Sequence, residues 1–126
     1  STLVYEGKVD YDGGIELARK LCNENKDVTA VVATADILAI GAMKGFYEQG
    51  VSVPNDISIV GFDDLEISKY LTPGLTTVRQ EISQKGEKAV ELLLDNIQDA
   101  DMTKREVIIP VSLSRRESVR DMRGEE

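Results

Sequence analysis

Three aspartates carry most of the chemical capacity of this 126-residue chain. Asp63 directly follows the apolar run ISIVGF (57–62), Asp64 stands beside it, and Asp36 opens an apolar stretch just after VTAVVAT (28–34). A carboxylate at the end of a buried strand can accept hydrogen bonds from two vicinal hydroxyls at fixed spacing, which suits a sugar. The alternative for Asp63 is to cap a following turn. Asp63 and Asp64 together offer too few oxygens for a hard divalent cation. Asp36 either stabilises the first turn of a helix through the helix dipole or supplies a hydrogen-bonding group at a pocket edge.

The rest of the inventory narrows the chemistry. The chain has no histidine, which removes the commonest general base, the usual zinc ligand and every Ser-His or Cys-His nucleophile pair. No catalytic residue, metal site or cofactor is expected, and the chain does not read as an enzyme. Cys22 is the single cysteine; it falls on an apolar helix face as a structural thiol and fits a reducing compartment. Gly13-Gly14 belongs to no GxGxxG or GxxxxGK[ST] pattern, so a tight turn accounts for it better than a phosphate loop. Lys and Arg number 15 against 23 Asp and Glu, a formal charge of -8. A surface this acidic repels nucleic-acid backbones. Arg115, Arg116, Arg120 and Arg123 alternate with acids and read as a solvated tail. The apolar runs fall short of the roughly 18 residues of a membrane span, and no signal peptide opens the sequence. A cytoplasmic location is expected.

The elements that must position these residues follow from periodicity. Leu3 to Tyr5 is a short strand candidate. Asp10 or Asp12 caps a helix whose apolar face is Ile15, Leu17, Ala18, Leu21 and Cys22. Residues 28–34 form a strand buried on both faces. A second helix runs from Asp36 to Gln49 with the stripe Ile37, Ile40, Met43, Phe46 and Tyr47, and Gly50 ends it. Pro54-Asn55-Asp56 makes a turn before another doubly buried strand, 57–62. A loop over 63–75, an extended piece over 76–80, an amphipathic helix over 83–97 and a strand over 106–113 complete the order, with a frayed tail over 114–126.

Strands alternating with helices predict an α/β fold with a doubly wound parallel sheet. Ligands of such sheets bind beyond the carboxyl ends of the strands. That singles out residues 6–9, Ala35 with Asp36, and Asp63 with Asp64. The extended TTVRQ before the 83–97 helix and the strand after it read as crossings that leave the sheet and return. That helix then belongs to a neighbouring lobe; the alternative is that it packs on the same sheet.

The stretch from Ala30 to Gln80, with VPNDISIVGFDD and LTPGLTTVRQ as its most specific parts, closely resembles the lactose-repressor (LacI/GalR) family of bacterial transcription regulators. KGEKAVELLLDNI and IIPVSLSRRES extend the resemblance, which covers Tyr5 to Ser118. It implies an incomplete lobe of the type I periplasmic-binding-protein-like fold. Residues 1–118 correspond to the C-terminal portion of an effector-binding and dimerisation domain, with 83–98 belonging to the N-terminal lobe and 119–126 a tail. The DNA-binding helix-turn-helix and most of the first lobe lie outside this sequence.

By the same resemblance, Asp63 matches the aspartate that binds effector hydroxyls. Val9 stands where many members stack an aromatic ring, and Ala35 where lactose-type members have an amide. Gln80 and Ile82 match positions at the hinge and on the facing lobe; Asp36 joins the effector-binding candidates through its own place after the strand. The anchor carboxylate is kept while the stacking and amide positions differ, so the effector is a sugar, a sugar derivative or another small molecule. Ile40, Met43, Lys44, Tyr70 and Leu71 match a homodimer interface. Effector binding would alter the angle between lobes and so operator binding by the DNA-binding domain. The rival reading is a periplasmic-type sugar-binding protein of a transport system.

Overall fold

The computed structural model describes residues 3–80, 87, 88, 91, 92 and 110–123. The order is α1 (Tyr11–Glu24), β1 (Ala30–Val32), α2 (Asp36–Glu48), β2 (Ser58–Phe62), a 3-10 helix (Glu66–Tyr70), β3 (Thr76–Gln80) and β4 (Val111–Ser114). The strands lie in one sheet in the order β1-β2-β3-β4. β1 pairs with β2 and β2 with β3, both parallel, with Val60 opposite Val32 and Thr76. The mixed α/β architecture agrees with the expected parallel sheet. Two compact units are distinguished along the chain, Ser1–Arg79 with Leu113–Glu126, and Gln80–Ser112.

α1 starts where its cap requires. Asp10 has extended backbone, and its Oδ1 accepts the Gly13 N–H at 2.6 Å, satisfying one of the free amides of the first turn. Ala18 and Leu21 are buried on the predicted face. α2 begins without a side-chain cap and ends at Gln49, followed by Gly50 at φ 75°, the left-handed stop that glycine adopts without cost. The core unites Ala18 and Leu21 of α1, Ala39, Ala42 and Phe46 of α2, Ile57 just before β2, Ile59 of β2, and Leu75.

Several expectations are corrected. Residues 3–5 form no strand, and Val4 is 80% exposed. β1 is short and not buried on both faces, because it is the edge strand of the sheet; Val32 is 78% exposed. β2 alternates between buried and half-buried residues, so one face is covered by the helices and the other only in part. The buried stripe of α2 is Leu38, Ala39, Ala42 and Phe46, whereas Tyr47 is exposed. Gly13 and Gly14 lie inside α1 rather than in a turn; a Cβ on Gly14 would strike the Leu38 carbonyl of α2, so glycine there permits close helix packing. The 63–75 segment contains the 3-10 helix.

The tail is not frayed from its start. Ser118 is fully buried. Its hydroxyl donates to the Ile59 carbonyl at 2.6 Å and accepts the Thr76 amide at 2.8 Å. Polar composition suggested solvation, yet a buried hydroxyl here bridges two backbone groups. Residues 87, 88, 91 and 92 are helical. The rest of the predicted 83–97 helix, including Ala89, Leu93, Leu94 and Ile97, and residues 106–109 of the predicted last strand lie outside the described residues.

Candidate functional site

The parallel strands β1, β2 and β3 share one carboxyl edge, and Asp63 stands at it directly after β2. Asp63 and Asp64 have φ of 112° and 54°. Two successive non-glycine residues in the left-handed region are unusual, and such outliers concentrate where function constrains the backbone. The corner is pinned amide by amide. Asp63 N–H donates to the Val78 carbonyl at 2.9 Å, Asp64 N–H to Thr77 Oγ1 at 3.2 Å, and Leu65 N–H to Asp36 Oδ2 at 2.8 Å. The exposed Asp63 carboxylate takes no part in this bonding. It can therefore accept hydroxyl donors from a ligand.

Asp36 does something else. It is wholly buried. Oδ2 accepts the Ser68 hydroxyl at 2.6 Å as well as the Leu65 amide, and Oδ1 accepts the Thr77 hydroxyl at 2.6 Å. Its oxygens are thus committed to the 3-10 helix, the corner and β3, so the expected pocket-edge group is a brace beneath the site. The position directly after Ala35, the N-cap of α2, also favours its charge through the helix dipole. Gly61 leaves the space: a Cβ there would overlap Asp36 Oδ1.

The Asp64 side chain is held as well. Arg116 Nη2 donates to Oδ1 at 2.9 Å and Ser114 Oγ to Oδ2 at 3.0 Å. Arg116 also reaches the Leu75 carbonyl through Nη1 at 2.7 Å. Burial pushes the Asp64 carboxyl up, but hydrogen bonds from Arg116 and Ser114 and the charges of Arg116 and Arg79 outweigh it and hold it below the usual carboxylate range. Arg116, expected on a solvated tail, is four-fifths buried along its side chain.

Val9 is 57% exposed. Ala35 is the half-buried N-cap of α2 and Gln80 the exposed last residue of β3; Ile82 lies outside the described residues. Of the residues expected at an interface, Ile40, Met43, Lys44 and Leu71 line one groove of about 380 Å³, together with Tyr47, Val51, Val53 and Pro73. Tyr70 is 70% exposed, with the Lys69 ammonium 5.1 Å from its ring centre. Among the described residues, no group of three or more acidic, Cys or His side chains is placed to hold a metal ion, and no helix is long and apolar enough to cross a membrane.

Sequence reasoning missed Ser68, Thr77, Ser114 and Arg116. Ser and Thr at these places carry no periodic signal, and the arginine was hidden by its charged neighbours. The paired threonines that open β3 were the available clue, since hydroxyls buried in a sheet need partners.

The model of the periplasmic binding protein-like domain family matches residues 2–119. The chain is 40% identical over 116 residues to the HTH-type transcriptional regulator MalR of Clostridium butyricum, covering 92% of this chain and 34% of that protein. The structure is similar to a LacI family transcriptional regulator of Enterococcus faecium with bound ribose, with 34% identity, TM-score 0.68, and 90% and 41% of the two chains covered. It is also similar to the lac repressor dimer bound to operator and an anti-inducer, with 34% identity, TM-score 0.73, and 90% and 40% covered. The chain spans about a third of the length of the curated relatives it matches. It belongs to the periplasmic binding protein-like family, in the branch formed by the effector-binding domains of LacI/GalR transcriptional regulators.

Proposed function

We propose that this chain is the effector-sensing and dimerising part of a bacterial LacI/GalR-type regulator, most simply a repressor, whose effector is a sugar or sugar derivative. The carrying observation is the exposed Asp63 carboxylate on a pinned left-handed corner at the carboxyl edge of the parallel sheet. A ribose-bound regulator among the similar structures supports a polyhydroxylated effector. Vicinal hydroxyls donate to the two oxygens of Asp63, and the rigid corner limits the entropy lost on binding. By the family resemblance, Val9, Ala35 and Gln80 match further effector positions, and Ile82 one that the family assigns to its other lobe. The separate compact unit Gln80–Ser112 supports assigning 83–98 to that other lobe.

No bond is made or broken. Effector binding shifts the population between two lobe angles, and a homodimer built on Ile40, Met43, Lys44, Tyr70 and Leu71 passes the difference to helix-turn-helix heads at operator DNA. The half-apolar groove on α2 supports that dimer face. The regulator works in the cytoplasm. The relatives reported are transcriptional regulators, which favours this reading over a transport-system binding protein.

The test is calorimetric titration of the natural full-length protein with D-ribose and a panel of pentoses and hexoses, repeated on Asp63→Asn, with operator-fragment mobility shifts alongside. A sugar that binds, loses affinity in the variant and changes the DNA complex is expected. Unchanged affinity in Asp63→Asn would remove the anchor role.

A further inference from the structure

We propose that Asp64 and Arg116 are the positioning pair of the effector site, holding the backbone corner that presents Asp63. This rests on the effector reading of Asp63. The two adjacent aspartates divide the work. The Asp63 carboxylate is exposed and has no hydrogen-bond partner among the described residues, whereas both oxygens of Asp64 are occupied, by Arg116 at 2.9 Å and Ser114 at 3.0 Å.

The left-handed backbone of both residues persists only if its surroundings over-determine it. The amides of 63 and 64 are tied to β3 through Val78 and Thr77. Those bonds hold the backbone of the corner but leave the Asp64 side chain to be placed. That side chain adds a second hold, to Ser114 at the end of β4 and Arg116 two residues beyond. Arg116 is itself anchored on the Leu75 carbonyl just before β3. A forked guanidinium with one arm on the carboxylate and one on the backbone fixes direction as well as charge. Asp63 therefore meets its ligand without first having to order its backbone, and its affinity depends on a pair that touches no ligand.

Asp64→Asn removes the charge pair but keeps the shape, and asparagine tolerates the left-handed region. In the natural full-length protein, residue-resolved amide exchange and D-ribose titration are measured together. Expected is exchange at the 63 and 64 amides about tenfold faster relative to the Ile59 amide, with D-ribose affinity about tenfold weaker. Arg116→Ala behaves alike, and Arg116→Lys recovers part of both effects. If Asp64→Asn fails to fold, Ser114→Ala gives the same reading in milder form. Exchange at 63 and 64 that is unmoved, or that rises only in step with Ile59, overturns the proposal. If D-ribose does not bind the unaltered protein, that sugar is excluded as effector while the exchange comparison still decides the positioning role.

Discussion

Gly61 lies against Asp36 so closely that a Cβ would overlap the Asp36 Oδ1 atom. β2 thus gives up a side chain so that a buried carboxylate can reach Thr77 on β3. Asp36 is a rigid neighbour, held by hydroxyls and an amide, and cannot swing away. Gly61→Ala should therefore destabilise by about 2–4 kcal/mol through overpacking and disturbed hydrogen bonds. Denaturant unfolding of the variant checks it; a loss within about 0.5 kcal/mol, the ordinary surface range, would contradict the contact.

Asp36→Ala should cost about 3 kcal/mol or more, because the Leu65 amide and the Ser68 and Thr77 hydroxyls lose their acceptor together. Asp36→Asn should cost less, since one oxygen remains. The same unfolding series measures both, and effector affinity should fall with them, because the corner stands on this brace.

Asp63 carries strain without structural return. Asp63→Gly should relieve the φ of 112° and stabilise by about 1 kcal/mol, while abolishing measurable sugar binding. Calorimetric melting and titration of one sample read both effects. A destabilised Asp63→Gly would show that the side chain supports the fold.

The Asp64 carboxyl is held below its ordinary value in the folded state. Its contribution to stability is therefore complete above the unfolded aspartate value near 3.9 and is lost as pH falls through the lower folded value. Below about pH 4, the wild-type protein should lose stability faster than Asp64→Asn, and the two curves should run parallel between pH 5 and 7. Melting temperatures across that range test the sign.

Met43 is half-buried in the groove on α2 beside Ile40 and Leu71. Met43→Asp should place a charge in a self-complementary face and dissociate the proposed dimer at least about tenfold. Sedimentation of the natural protein gives the result; an unshifted equilibrium would put the dimer face elsewhere.

Local pattern alone specified α1 with a cap at Asp10 or Asp12, α2 with its Gly50 stop, and the strand β2, because periodicity and capping act between residues a few positions apart. Residues 76–80 read as an extended piece leaving the sheet, whereas they pair with β2 inside it. Local pattern also marked Asp63, since the end of a buried strand is visible in the order of residue types. The separate fates of three similar aspartates were not visible. Asp36 is bonded to partners 29 to 41 residues away and Asp64 to partners 50 and 52 away. Ser118 likewise joins strands 42 and 59 positions earlier. Only the tertiary structure decides such assignments, because burial and hydrogen-bond satisfaction depend on which distant groups the packed sheet brings together. The order of residue types placed a carboxylate at the edge of the sheet; long-range packing set which carboxylate stays exposed to a ligand.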